Sequence, residues 1–196
     1  MDPGFLIRKK YMHTDRSNKQ SIDKNIQTLV DKLNKLETVR TTSSCSGRIC
    51  LYSEYKTKIL WYSHDPAEAK EVIETIKQEI NTYYLSDNSS YLYLRFEPFI
   101  MHMEVASLEI GKTMLRKAIG CGFRNSGLSI AKKIHVCIRN TISLDVPIVD
   151  ECKGELLVDW EYIEVLVDIA NTKFKRNEEL IKRLETEIFK EEKHNS

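Results

Sequence analysis

Apolar residues recur at three- and four-residue spacing through Ile22, Ile26, Leu29, Val30, Leu33 and Leu36, which predicts an amphipathic helix over 21–37 capped by Ser21. Beyond it, "RICLYSEYKTKILWYS" sets two β-rich runs, 48–52 and 58–63, around a polar turn, the pattern of a hairpin. Helical spacing returns in "HDPAEAKEVIETIKQEI", with Asp65 as N-cap, Pro66 at the first helical position and Val72, Ile73, Ile76 and Ile80 on one face. Residues 91–106 alternate on either side of Pro98 and read as a strand, a break and a second strand. A third helix over 107–119, carried by Leu108, Leu115 and Ala118, closes at the glycine-rich "GCGFRNSG". "KKIHVCIRN" and "SLDVPIV" supply two more strands. From Asp159 the acidic tail is helical, with Ile163, Leu166, Val167, Ala170 and Phe174 on one stripe, then Leu180, Ile181, Leu184 and Ile188 after a shift near Asn177.

These elements predict an α/β chain of mixed α+β character, a mixed β-sheet flanked by helices. The middle shows an approximate internal echo, since "SSCSGR" and "GFRNSG" are both small-residue segments with an arginine, and a duplicated half is one reading of it. A length of 196 residues is expected to form a single domain, with an N-terminal arm and helix over 1–40, a sheet core over 41–150 and C-terminal helices over 151–196. No G-x-G-x-x-G follows a strand and no Walker loop occurs, which disfavours a Rossmann nucleotide site.

Composition alters this picture only through its distribution. The formal charge of +1 hides a segregation: residues 111–142 hold seven Lys and Arg and no acid, whereas 143–196 hold eight cations against fourteen acids. A polyanion is expected at the acid-free stretch, where Lys and Arg displace counterions condensed on phosphates; neutralisation by the acidic helices is the plainer reading. No run approaches the ~20 apolar residues that cross a bilayer, and "MDPGFLIRKK" lacks a signal-peptide pattern, so a cytoplasmic location without membrane contact is expected. The five cysteines form no C-x-x-C pair and the five histidines no H-E-x-x-H, so no metal site is expected.

Several residues have the chemistry of a site. Ser43, Ser44, Ser46 and Gly47 suit an anion nest or an ordinary serine-rich connection, and Arg48 adds a planar fork. Arg124, Asn125 and Ser126 occupy the second small-residue loop. Cys45 as a nucleophile requires a base such as His64 or His102 and a lowered pKa, and a small buried thiol is the simpler expectation. His102 alternates with Met101 and Met103, Glu97 is a carboxylate among aromatic residues, and Trp61 and Tyr62 beside His64 suit either base stacking or a core. The N-terminal "HTDRSNKQSID" crowds Asp15, Ser17 and Lys19 ahead of the first helix.

Taken in order, "DRSNKQSID", "TTSSCSGRI", "LWYSH", "LRFEPFIMHM", "GFRNSGL", "IHVCIR" and "EYIEVLVDIAN" give a chain that resembles the family of tRNA wybutosine-synthesising protein 3 from about Phe5 to Leu184. The resemblance implies a methyltransferase that uses S-adenosylmethionine to methylate the ring N4 of a 7-aminocarboxypropyl-demethylwyosine intermediate beside the anticodon of phenylalanine tRNA. It also implies a family-specific fold lacking the doubly wound methyltransferase sheet, and no obligate protein partner is evident. Mapped onto this chain, it points to Asp15 and His102 as catalytic, to Ser43, Ser44, Ser46, Gly47 and Glu97 for the methyl donor, and to Ser17, Lys19, Arg48, Trp61, His64, Arg124, Asn125 and Ser126 for the substrate. The family usually reads Lys-Gly-Ser where this chain has Lys19, Gln20 and Ser21. The alternative is a tRNA- or nucleotide-binding module without chemistry.

Overall fold

The structure, a computed structural model, describes residues 21–80 and 89–190. It divides into two compact units, each built from separated stretches of chain.

The first unit takes 21–46, 99–141 and 177–190. A 3₁₀ turn at Lys24–Ile26 leads into α1 (Gln27–Lys35). The helix begins later than its apolar periodicity predicts, and Ser21 does not cap it. Asp23 precedes the turn in extended conformation, and its carboxylate is spent on the Ser46 N–H rather than on a helix N-terminus. The sheet runs β1 (Val39–Cys45), β5 (Ile100–Val105), β7 (Ile134–Arg139), β6 (Gly127–Ile130) in spatial order, every pairing antiparallel. One face packs Met101, Met103, Val105, Val136 and Ile138 in the core, while His102 and Cys137 look the other way. α3 (Leu108–Gly120) is capped by the Ser107 hydroxyl, which accepts from the Ile110 N–H. A Cβ at Gly111 would stand 2.6 Å from Leu128 Cδ1, so the helix crosses the edge strand closely. Phe99 and Phe123 meet edge to face at 5.5 Å in the buried interior.

The second unit takes 47–98 and 142–176. Its sheet is ordered β3 (Lys58–Ser63), β2 (Arg48–Ser53), β4 (Tyr91–Glu97), β8 (Leu144–Asp150), β9 (Glu155–Leu156), again wholly antiparallel. Ile49, Leu51, Leu92, Leu94, Phe96 and Ile148 pack beneath Val72 and Ile76 of α2 (Ala69–Ile80) and Ile163, Leu166, Val167, Ala170 and Phe174 of α4 (Trp160–Phe189). α2 starts three residues after Pro66, because the Asn171 side chain binds both the N–H and the C=O of Ala67 and holds that residue outside the helix. α4 is continuous through Asn177 and ends in the first unit.

The α+β class without a doubly wound sheet stands, but one mixed sheet becomes two antiparallel ones. Two elements were unread: β6, an edge strand too short for the alternation of Leu128 and Ile130 to stand out, and the two-residue β9. The serine segment is a further correction. It is an edge strand, with a bulge between Thr41 and Ser43, and not a loop.

Candidate functional site

The predicted residues Asp15, Ser17 and Lys19 lie outside the described residues. The others fall into two groups, one in each unit.

In the first unit, antiparallel register aligns the candidates transversely. Ser43 stands opposite His102, His102 opposite Cys137, and Cys137 opposite Gly127. Directly opposed residues share a sheet face. His102 Nε2 lies 3.8 Å from Cys137 Sγ, and the His102 carbonyl accepts from the Thr42 hydroxyl. Burial, with His135 beside it, lowers the His102 pKa below its usual 6.5, so the imidazole is neutral near pH 7 and able to take a proton. Burial raises the Cys137 thiol, which keeps it un-ionised and weakly nucleophilic. Two residues along β5 from His102, Glu104 is buried and receives Arg40 and Lys133, the latter at 2.9 Å. Burial alone would raise that carboxyl, but the hydrogen bonds from Lys133 and Arg40 prevail and hold it below the ordinary range.

Ser44 faces the core beside Met101, and successive N–H groups in a strand point alternately rather than converging. Ser43 and Ser44, inside β1, therefore do not converge as the expected nest over Ser43, Ser44, Ser46 and Gly47 requires. Ser46 is buried, its N–H donating to Asp23 at 2.8 Å and its C=O accepting from Asn177 Nδ2 at 2.8 Å. In the second small-residue loop, Gly122 adopts φ +103°, and Ser126 Oγ donates to the Phe123 carbonyl at 2.7 Å while accepting from the Arg139 N–H. Ser126 thus latches the turn, leaving Arg124 and Asn125 exposed at its tip.

In the second unit, Arg48 and Glu97 are directly opposed on β2 and β4 and joined at 2.7 Å, each about a third exposed. His64, one residue beyond β3, places Nδ1 2.9 Å from the Gly47 carbonyl, where Gly47 turns through φ +99°. An imidazole, a guanidinium and a carboxylate thus end three adjacent strands. The pair sets a planar cation beside a hydrogen-bond acceptor. Trp61 does not join them: it faces Leu51 on the core side, and Tyr62 is the aromatic on the outer face. Cys50, two residues along β2 from Arg48, is pushed up to about 12 by burial and by Glu97, which disqualifies it as a nucleophile.

Reading by motif missed Asp23, Cys137 and Asn177. Asn177 left a trace, the shift in the apolar stripe of the last helix, because a buried amide occupies a position that the periodicity assigns to an apolar residue.

A family model described as Methyltransferase TYW3 matches residues 5–190. The tRNA wybutosine-synthesizing protein 3 homolog of Xenopus laevis is 34% identical over 188 residues, covering 90% of this chain and 70% of its own. The mouse protein of the same name is 36% identical, and this chain spans 66% of its length. A protein of Thermococcus sibiricus named tRNA(Phe) 7-((3-amino-3-carboxypropyl)-4-demethylwyosine(37)-N(4))-methyltransferase is 32% identical, covering 94% of both chains. Among solved structures, the PH1069 protein of Pyrococcus horikoshii superposes with a TM-score of 0.74 at 34% identity over 87% of this chain and 83% of its own.

Proposed function

Because the chain belongs to the Methyltransferase TYW3 family, matched over residues 5–190, we propose that it methylates the ring N4 of a 7-(3-amino-3-carboxypropyl)-4-demethylwyosine in phenylalanine tRNA. The observation that carries this reading is the end-to-end likeness to the Thermococcus sibiricus methyltransferase, which leaves no large segment of either chain unmatched. S-adenosylmethionine supplies the electrophilic methyl group.

Positioning accounts for most of what such a transfer asks of a protein, since the acceptor nitrogen needs only to lose its proton and meet the methyl in line. In this reading Arg48, placed with the substrate by the resemblance, joins its ion-pair partner Glu97 in holding the amino-acid and ribose portions of the methyl donor, and His64 fixes the Gly47 backbone beside them. Within the first unit, His102, kept neutral by burial, is the residue able to accept a proton. Arg124 and Asn125, exposed on a turn held by Ser126, contact phosphate within the acid-free stretch. Asp15, Ser17 and Lys19 complete the substrate side in the N-terminal arm, and the protein works in the cytoplasm. Among the described residues no helix is long and apolar enough to cross a membrane.

Transfer of labelled methyl from S-adenosylmethionine to tRNA carrying the demethylwyosine intermediate tests the reading, with unmodified tRNA as control. Incorporation confined to the intermediate-bearing tRNA is expected. Binding of that tRNA without transfer would leave only a binding module.

A further inference from the structure

The outer face of the five-stranded sheet carries aromatic and cationic side chains that the methyltransferase reading does not use. Register sets them in rows. Tyr62, Cys50, Arg95 and Asp145 are successively opposed across β3, β2, β4 and β8, and Ile59, Tyr52, Tyr93 and Pro147 form the next row. The opposite face holds Ile49, Leu51, Leu92, Leu94 and Phe96 in the core, so the rings look outward. The Arg95 guanidinium lies 4.1 Å from the Tyr52 ring centre and 4.8 Å from that of Tyr93, with Asp145 holding its Nε at 2.7 Å. Tyr62 is 51% exposed and set edge-on to His64 at 5.4 Å. Arg48 and Glu97 stand in the row beyond, so this face runs into the residues assigned above to the methyl donor.

Resting on that methyltransferase reading, we infer that this face is a stacking platform for unpaired bases of the substrate RNA, with Tyr62 and the Tyr-backed Arg95 guanidinium as its two flat surfaces. Bases in single-stranded loops stack on tyrosine rings and arginine planes, whereas duplex bases are unavailable to them. The charge of the face favours bases over backbone. Arg95, the cation of the platform, is already held by Asp145, so this part of the surface offers π-faces and little net attraction for phosphate. Rows two residues apart on a strand are separated by about 6.5–7 Å, which gives neighbouring bases separate supports. Cross-strand aromatic pairing that merely stiffens the sheet is the competing explanation, and it requires no exposed ring.

The test uses fluorescence anisotropy with the full chain and an unmodified anticodon stem-loop RNA of phenylalanine tRNA, against a fully paired hairpin of equal length. Tyr62→Leu is expected to weaken stem-loop binding by about 5- to 100-fold and Tyr62→Phe to stay within about twofold of the parent. Arg95→Lys, which keeps the charge and removes the plane, is expected to weaken stem-loop binding as well, and none of the three to alter hairpin binding. Tyr62→Leu and Arg95→Lys proteins that unfold at the parent temperature yet bind the stem-loop as tightly as the parent overturn the platform, as does a parent that prefers the paired hairpin. Methyl transfer is scored separately. A parent that binds the stem-loop in a ring-dependent way but transfers no methyl keeps the platform and removes the methyltransferase reading. A parent that transfers methyl, with binding insensitive to Tyr62, does the reverse, and a parent that binds no RNA overturns both.

Discussion

Asn177 lies in α4 with no exposed surface, and its side-chain amide makes three hydrogen bonds within the first unit. Oδ1 accepts from the Phe99 N–H at 2.9 Å and from Asn140 Nδ2 at 2.8 Å, while Nδ2 donates to the Ser46 carbonyl at 2.8 Å. Each partner sits where a stretch of the unit begins or ends: Ser46 closes the first stretch, Phe99 opens the second, and Asn140 is one residue from the second's end. One amide therefore gathers the places where the chain enters and leaves. Asn177→Leu improves helix propensity but is the larger side chain in a buried place, and it leaves a buried N–H, a buried C=O and a buried amide without their partner. At about 1–3 kcal/mol for each unsatisfied group, discounted for relaxation and non-additivity, the expected loss is about 3–5 kcal/mol, a large part of the ~5–15 kcal/mol available to a domain. Asn177→Asp retains both acceptor bonds and loses the donor to Ser46, and its new buried charge makes it no milder. Urea unfolding of parent and variant gives the difference directly if the slopes agree. A loss under about 1 kcal/mol for Asn177→Leu would refute the reasoning, because it would mean that water or rearranged backbone satisfies all three partners.

The pH dependence of stability has two expected sources. Glu104, whose carboxyl is held below the ordinary 4.5, stabilises the fold above that value and loses the contribution as pH falls through its lower folded pKa. Glu104→Gln is therefore expected to cost about 1–3 kcal/mol at pH 7 and progressively less below pH 4, read from denaturation at each pH; a pH-independent cost would refute it. His102 works in the same direction at higher pH: its folded pKa lies below 6.5, so the unfolded chain takes up the proton first and stability falls as pH drops below 6.5. His102→Gln should flatten that part of the profile, and an unchanged slope between pH 7 and 5 would show that the ring is not protected. Gly111→Ala gains about 1 kcal/mol of helix propensity but must turn Leu128 Cδ1 aside, so the urea midpoint should move little. Gly111→Ile, which also meets Val105, should lose about 2 kcal/mol or more, and equal midpoints for the two variants would contradict the close approach.

Much of the fold was legible because local chemistry and tertiary packing agree there. The hairpin of β2 and β3, the strands on either side of Pro98 and the stripe of α4 from Ile163 to Phe174 all place their apolar residues where the core lies. The segment 39–45 was not legible as a strand, and the reason is physical. Ser43 and Ser44 lack the apolar alternation and side-chain bulk that mark a half-buried strand, and β1 gains its conformation by pairing with β5, sixty residues away in sequence. The same long-range cause governs the site. Ser43, His102 and Cys137 share a row only through the register of three strands, and Asn171 delays α2 by binding Ala67 across more than a hundred residues. Residue types suited to the chemistry were visible in "SSCSGR", "EPFIMH" and "GFRNSG". Which of them face outward was not: Trp61, a natural choice for stacking, belongs to the core, while Tyr62, its neighbour, is half exposed. In a strand a single position decides between faces, so placing a site on a sheet depends on register, and register here is set by contacts that local sequence does not encode.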